Sequence, residues 1–171
     1  SADFELDADD IVTTAVEMHQ AVMAEVAACD VFVATAAVAD WRVADIAKDK
    51  IKKVEGGGTP TFAFVENPDI LAAVAALPKP PYCVGFAAES GDLLANASAK
   101  RRRKNVPLIV ANLGPATFGR DDNALTLIDA GGSRELPRAT KRVLARRLVA
   151  EIAARIGEAK RSEASTPAWT S

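Results

Sequence analysis

Short, unbroken apolar runs alternate with amphipathic stretches along the chain. Such runs, at 31–35, 82–88 and 107–111, are typical of parallel strands that are buried on both faces. Apolar residues that recur every three or four positions predict helices over 9–28, 67–77, 91–104 and 140–160. A further strand is predicted at 61–65, and a hairpin at 124–129 and 135–136 turns at Gly131-Gly132. We therefore predict an α/β fold: a three-layer, Rossmann-like, mostly parallel sheet with an added antiparallel hairpin near one edge.

The ends of the predicted elements follow from capping and breaking residues. Asp9 or Asp10 is a candidate N-cap for the first helix, and Asn67 for the second, with Pro68 at its first position. Residues 36–60 show little periodicity and are predicted to form a loop. We expect one domain over 1–160 and a disordered, small-polar tail over 161–171.

Composition narrows the function classes. The 171 residues suffice for one domain, and 49% of them are hydrophobic, so a core needs no disulfides or metal. The 21 basic and 23 acidic residues leave a net charge of -2, which does not favour a nucleic-acid binder. We find no apolar run long enough for a membrane span and no signal peptide. With two cysteines and one histidine, we expect a soluble, reduced, cytoplasmic protein without a zinc site.

Lysines are the first candidates for chemistry. Lys50, Lys52 and Lys53 precede three glycines and predict either a phosphate-gripping flap or a solvated charged loop. Lys100 and Lys104 lie four residues apart, so they project from one helix face. They either clamp phosphate or place cations favourably at a helix C-terminus. A nucleic-acid patch over 101–103 is the weakest interpretation, because no aromatic residues interleave it.

Polar and aromatic residues at the predicted strand ends form a second group of candidates, because ligands bind at the carboxyl ends of parallel strands. Asp40 follows the first strand, and its carboxylate either contacts a ribose or a cation or is an N-cap or turn carboxylate. Phe86 stacks on a base or belongs to the core, and Asn112 contacts a ligand or forms a turn. The chain has no dinucleotide-binding glycine motif, no P-loop and no support for a Ser/His/Asp triad.

Seven short motifs, in order and with matching spacing, resemble the bacterial phosphopantothenate–cysteine ligase domain. They are Thr35-Ala36-Ala37-Val38-Ala39-Asp40-Trp41, Lys50-Ile51-Lys52-Lys53, Glu66-Asn67-Pro68-Asp69-Ile70, Gly85-Phe86-Ala87-Ala88-Glu89, Lys100 with Lys104, Ala111-Asn112 and Asp122-Asn123-Ala124-Leu125. The resemblance implies a CTP-dependent ligase of coenzyme A biosynthesis. In that reaction 4'-phosphopantothenate attacks the α-phosphate of CTP, giving an acyl-cytidylate and pyrophosphate. The amine of cysteine then displaces CMP and gives phosphopantothenoylcysteine.

The resemblance also implies roles for individual residues. Lys50 steadies the activated intermediate, and the nucleotide pocket is lined by Ala34, Thr35, Ala36, Asp40, Val65, Glu66, Asn67, Pro68, Phe86, Lys100 and Lys104. Asn112 is a possible substrate contact. Mg²⁺ would enter with CTP, and family members form homodimers, for which the 61–65 strand and the hairpin near Leu125 are candidate contacts. FMN would belong only to a fused decarboxylase domain outside this chain.

One part of the family pattern has no counterpart here. Members begin with a glycine-rich strand and loop that carries an asparagine used for phosphopantothenate, and residues 1–8 do not match it. We therefore expect the nucleotide half of the site in this chain. A non-catalytic nucleotide-binding or regulatory module on the same sheet is the alternative function.

Overall fold

A computed structural model describes residues 11–47, 49, 51–52, 59–113 and 120–164. Its helices are α1 (Ala15–Glu25, followed by a 3₁₀ turn, Val26–Ala28), α2 (Ile70–Ala75), α3 (Leu93–Lys104) and α4 (Lys141–Ala164). Its strands are β1 (Val31–Ala34), β2 (Trp41–Val43), β3 (Phe64–Glu66), β4 (Tyr82–Glu89), β5 (Leu108–Leu113), β6 (Asp122–Asp129) and β7 (Gly132–Thr140).

Five strands form the main sheet, in the order β1-β4-β5-β6-β7. The β1–β4 and β4–β5 pairs are parallel, and the β5–β6 and β6–β7 pairs are antiparallel. Only β6 therefore runs against the other four strands. This arrangement confirms the predicted fold class, a mostly parallel sheet with an antiparallel hairpin at one edge.

Two hydrophobic clusters cover the two faces of this sheet. On one face Cys83, Ala87 and Ile109 pack with residues of α2 and α3. On the other face Val84 and Val110 pack with residues of α4. Neighbouring residues of β4 and β5 alternate between the clusters because successive side chains of a strand point to opposite faces. The result is the predicted three layers.

The first strand and first helix differ from expectation. β1 is paired only on its β4 side within the described residues, so Val33 is exposed and the other three residues are half-buried. The predicted burial of this strand on both faces is therefore wrong. α1 begins after Thr14, because Thr14 and Glu17 form a reciprocal capping box. Asp9 and Asp10, the predicted caps, lie outside the described residues.

The second helix is shorter than predicted. Its N-cap is Asp69, whose Oδ1 accepts a hydrogen bond from the Ala72 amide at 3.1 Å. Asn67 is not the cap because its carboxamide is engaged elsewhere, with the carbonyl of Ala39. α3 likewise begins two residues later than predicted, with Asp92 as its N-cap.

The predicted loop over 36–60 contains a strand. β2 pairs antiparallel with β3, which replaces the predicted 61–65 strand, and the two form a separate two-stranded sheet. Three residues are too few to show a period, so this strand is invisible in the sequence pattern. Lys50, Lys53 and the three glycines lie outside the described residues.

The hairpin and the last helix are longer than predicted. β6 and β7 pair from Asp122 with Thr140 to Asp129 with Gly132, since polar residues are tolerated on the solvent side of an edge hairpin. α4 continues to Ala164, so the first four residues of the predicted disordered tail are helical. Residues 161–164 contain no glycine or proline, and the glutamate and alanine among them favour helix. Val143, which lies one position from the buried Leu144, is exposed.

Candidate functional site

A cavity of about 440 Å³ lies at the carboxyl ends of β1, β4 and β5. Its wall combines residues of both the main sheet and the segments that leave it. The lining residues include ten of the sequence-predicted site residues, namely Ala34, Thr35, Ala36, Asp40, Asn67, Pro68, Phe86, Lys100, Lys104 and Asn112. The volume falls in the range typical of small-molecule sites.

The first wall of the cavity is a segment of small residues that follows β1. Residues 34–39 are Ala, Thr, Ala, Ala, Val and Ala, so a ligand can approach the backbone closely. Asp40 ends this segment, and its carbonyl accepts a hydrogen bond from the Asn67 amide at 2.8 Å. This bond continues the β2–β3 ladder by one residue and ties the first wall to the segment before α2.

The second wall is the approach to α2, where a carboxylate meets an ammonium group. Lys104 on α3 contacts both oxygens of Asp69, at 2.9 Å and 2.8 Å. The Lys104 side chain is only 16% exposed, whereas that of Asp69 is 47% exposed. Desolvation opposes ionisation of Asp69, but the hydrogen bonds from Lys104 and Ala72 outweigh it and lower the pKa of Asp69.

The second ammonium group, that of Lys100, forms no ion pair with a carboxylate of the described residues. Lys100 Nζ donates to the Phe86 carbonyl oxygen at 2.9 Å, and the side chain is half-buried. Burial lowers the pKa of Lys100, and the nearby charge of Lys104 adds to this effect. Lys100 loses part of its water on folding, so an incoming anion does not have to displace that water. The interaction free energy between the anion and Lys100 is therefore more favourable than that with a fully solvated lysine.

Two predicted residues do not line the cavity. Val65 and Glu66 lie on β3 and are exposed, and Glu66 instead uses its carbonyl to accept a bond from Arg42. Lys50, the predicted catalytic residue, lies outside the described residues. Their roles stay predictions.

Two residues of the arrangement were missed from the sequence. Asp69 could have been recognised, because an aspartate directly before an apolar run is a candidate N-cap. Its ion pair with Lys104 spans 35 positions and carries no signal in one sequence. Arg42 donates to both Glu66 and Asn67 from a strand that was itself missed.

A second cavity of about 470 Å³ lies between the start of α3 and the β6–β7 hairpin. Asn112 lines both cavities. The basic residue in this second lining is Arg138, which is paired with Asp122 at 3.1 Å. The cavity at the strand ends, with two ammonium groups, is therefore the better candidate for a phosphorylated ligand.

The family model named DNA/pantothenate metabolism flavoprotein C-terminal domain matches residues 8–156. The chain belongs to this family. Its relatives include the coenzyme A biosynthesis bifunctional protein CoaBC of Escherichia coli K12, which is 45% identical over 155 residues, and that of Vibrio cholerae, 45% identical over 138 residues. The alignments cover 88% and 78% of this chain but only 38% and 35% of those proteins. The family resemblance inferred from the sequence is thus confirmed. The chain spans little more than a third of the length of these relatives.

Solved structures of this flavoprotein family give the same fold. The C-terminal domain of a coenzyme A biosynthesis bifunctional protein CoaBC superposes with a TM-score of 0.69 and 28% identity, covering 86% of this chain and 65% of that one. A DNA/pantothenate metabolism flavoprotein from Streptococcus pneumoniae superposes with a TM-score of 0.63 at 17% identity, over 84% of this chain and 68% of that one. At that lower identity the likeness concerns the fold alone.

Neither a group of metal-binding side chains nor a membrane-spanning helix is found in the part of the chain that the structure describes. There, no group of three or more histidine, cysteine, aspartate or glutamate residues is arranged to hold a metal ion. Mg²⁺ is commonly bound through substrate phosphates and water, which requires few protein ligands. Within the same ranges, no helix has the length and apolar character needed to span a bilayer.

Proposed function

We propose that this domain is the phosphopantothenate–cysteine ligase of coenzyme A biosynthesis and uses CTP. The observation that supports the proposal is the convergence of Lys100 and Lys104 with the backbone of 34–36 on one cavity at the strand ends. The choice of CTP and of the two other substrates rests on the family resemblance, in particular on Lys50 and the lysines that follow it. A cytoplasmic location stays a prediction.

The proposed reaction has two steps with balanced bonds. An oxygen of the phosphopantothenate carboxylate attacks the α-phosphorus of CTP, the bond to the β-phosphate oxygen breaks, and pyrophosphate leaves. The amine of cysteine then attacks the acyl carbon, loses a proton, and displaces CMP as the amide forms. Both steps place negative charge on phosphoryl oxygens, so fixed cations stabilise their transition states.

The described residues can supply the fixed cations that both steps require. Lys100 and Lys104 hold two positive charges at the cavity. Phe86 also lines it and offers its carbonyl oxygen to Lys100, while the residue packs against the hydrophobic cluster that includes residues of α4. Mg²⁺ would arrive as part of the CTP complex and neutralise further phosphate charge. Lys50 is proposed to steady the acyl-cytidylate, and Asn112 to contact substrate.

A homodimer is part of the proposal, on the strength of the exposed two-stranded sheet. Trp41, Phe62 and Phe64 are 56%, 50% and 60% exposed around β2 and β3. Exposed aromatic side chains in one patch are typical of protein interfaces. Sedimentation of the wild type and of Phe64→Glu should give a dimer and a monomer, and a monomeric wild type would refute this part.

Pyrophosphate release tests the ligase assignment. This chain, and a version extended by the family's N-terminal glycine-rich segment, are given phosphopantothenate and cysteine with either CTP or ATP. We expect the extended version to release pyrophosphate with CTP, much less with ATP, and none without phosphopantothenate. Lys50→Gln should keep the fold and abolish release, whereas Lys79→Gln, at the exposed turn before β4 and so at the opposite end of the sheet, should not.

Two results would contradict the assignment. Unchanged turnover of Lys50→Gln would remove the proposed role of that lysine. Binding of CTP without any pyrophosphate release by the extended version would favour the non-catalytic nucleotide-binding module.

A further inference from the structure

The two-stranded sheet is joined to the cavity through one pair of side chains. Arg42, on β2, directs Nη1 to the Glu66 carbonyl oxygen at 2.6 Å and to Asn67 Oδ1 at 3.2 Å. The other end of the Asn67 carboxamide, Nδ2, donates to the Ala39 carbonyl oxygen at 2.8 Å. The Asn67 side chain is therefore held at both ends.

These contacts fix two walls of the cavity relative to each other. Ala39, Asp40 and Asn67 all line it, and the Asn67 amide also donates to the Asp40 carbonyl at 2.8 Å. Arg42 does not line the cavity; among the described residues its side chain bonds to Glu66, which does not line the cavity either, and to Asn67, which does. Any effect of Arg42 on a ligand must therefore pass through these neighbours.

Charge compensation does not explain the placement of Arg42. Within the described ranges its guanidinium forms no ion pair and is engaged by carbonyl and carboxamide oxygens alone. A guanidinium group presents several donors in a rigid plane, which suits it to bridging two oxygens on adjacent residues. Bridging is what the geometry shows.

We propose that Arg42 is a positioning residue for nucleotide binding: by bridging Glu66 and Asn67 it holds the 39–40 and 67–68 segments at the spacing that a nucleotide requires. The inference rests on the proposed function, because it assumes that the cavity takes CTP. Without the bridge, the strand ladder remains but the wall samples other arrangements, and a ligand then has to order it on binding. The cost appears as weaker affinity.

Calorimetric titration with Mg²⁺-CTP tests this on the full chain. Arg42→Ala should raise the dissociation constant about tenfold, the change expected for a hydrogen bond to a charged group. Arg42→Lys keeps a cation but lacks the planar guanidinium group, so it should fall between Arg42→Ala and wild type. Arg147→Ala on the exposed face of α4 is the matched control and should bind as wild type.

A double-mutant cycle with Asn67→Ala identifies the route. The double variant Arg42→Ala/Asn67→Ala should bind no more weakly than Asn67→Ala alone, because both changes break one bridge. Thermal unfolding of each variant checks that the folded fraction is the same.

Each outcome decides one point. A wild type that does not bind CTP overturns the proposed function and this inference together. If the wild type binds, then unchanged affinity of Arg42→Ala, full recovery by Arg42→Lys, or additive effects in the cycle overturns the positioning role and leaves the proposed function standing.

Discussion

Replacing Lys100 by methionine separates binding from stability at one position. Methionine keeps the unbranched stem of the side chain and removes the ammonium group. Among the described residues that group donates to a neutral acceptor, the Phe86 carbonyl oxygen at 2.9 Å, and burial disfavours its charge. The fold therefore gains little from the charge of Lys100.

The two expected magnitudes differ. Loss of the hydrogen bond from the ammonium group to Phe86 costs about 1.5 kcal/mol of unfolding free energy, and removing a poorly solvated charge offsets part of that cost. The net change should stay within about 1 kcal/mol. Loss of a charged contact to the triphosphate costs about 1.5–3 kcal/mol, so the dissociation constant of CTP should rise roughly ten- to hundredfold.

Urea denaturation and calorimetric titration of one preparation measure both quantities. Lys79→Met removes the same charge from an exposed turn at the other end of the sheet, and it should change neither. If Lys100→Met lost more than about 3 kcal/mol of stability while the folded protein bound CTP as before, Lys100 would be a structural residue and the reasoning would fail.

Three further predictions concern Lys100, the Asp69–Lys104 ion pair and Gly85. Because the pKa of Lys100 is lowered, its ammonium group loses its proton at a pH below the ordinary lysine value of 10.5, and the affinity for CTP should decline as the pH rises through that range. The same decline in Lys100→Met would show that another group causes it. Asp69→Asn keeps the α2 cap but loses the ion pair with Lys104, which should cost about 1 kcal/mol at neutral pH in urea denaturation. The pKa of Asp69 in the folded state is lowered below the usual 3.8, so the stability difference between wild type and Asp69→Asn should vanish as the pH falls through that lowered pKa. A stability difference that stays constant with pH would contradict the ion pair. Gly85→Ala places a Cβ 2.5 Å from Leu71 Cδ2 in the packed core, so denaturation should show a loss of about 1–3 kcal/mol, and an unchanged midpoint would refute the close packing.

The parts of the fold that the sequence predicts well are those that depend on burial alone. β4 and β5 are central strands covered on both faces, so both appear as unbroken apolar runs. Lys100 and Lys104 were placed on one helix face by their spacing, and the structure puts both at one cavity. Helical periodicity carries that information without knowledge of the tertiary fold.

The missed parts depend on partners that are distant in the sequence. β2 exists because Trp41 pairs with Glu66 across a long connection, and nothing within its three residues indicates a strand. Asn67 was assigned to a cap because the sequence does not show that Ala39 and Arg42 engage its carboxamide. β1 was expected to be buried on both faces, since an apolar run does not reveal that a strand lies at an edge.

The most direct measurement is a crystal structure of the chain grown with Mg²⁺-CTP. We expect the triphosphate to lie in the cavity at the ends of β1, β4 and β5, with its oxygens within hydrogen-bond distance of Lys100 Nζ and Lys104 Nζ. A nucleotide bound instead against the cations of 101–103, or in the cavity beside the hairpin, would contradict this expectation.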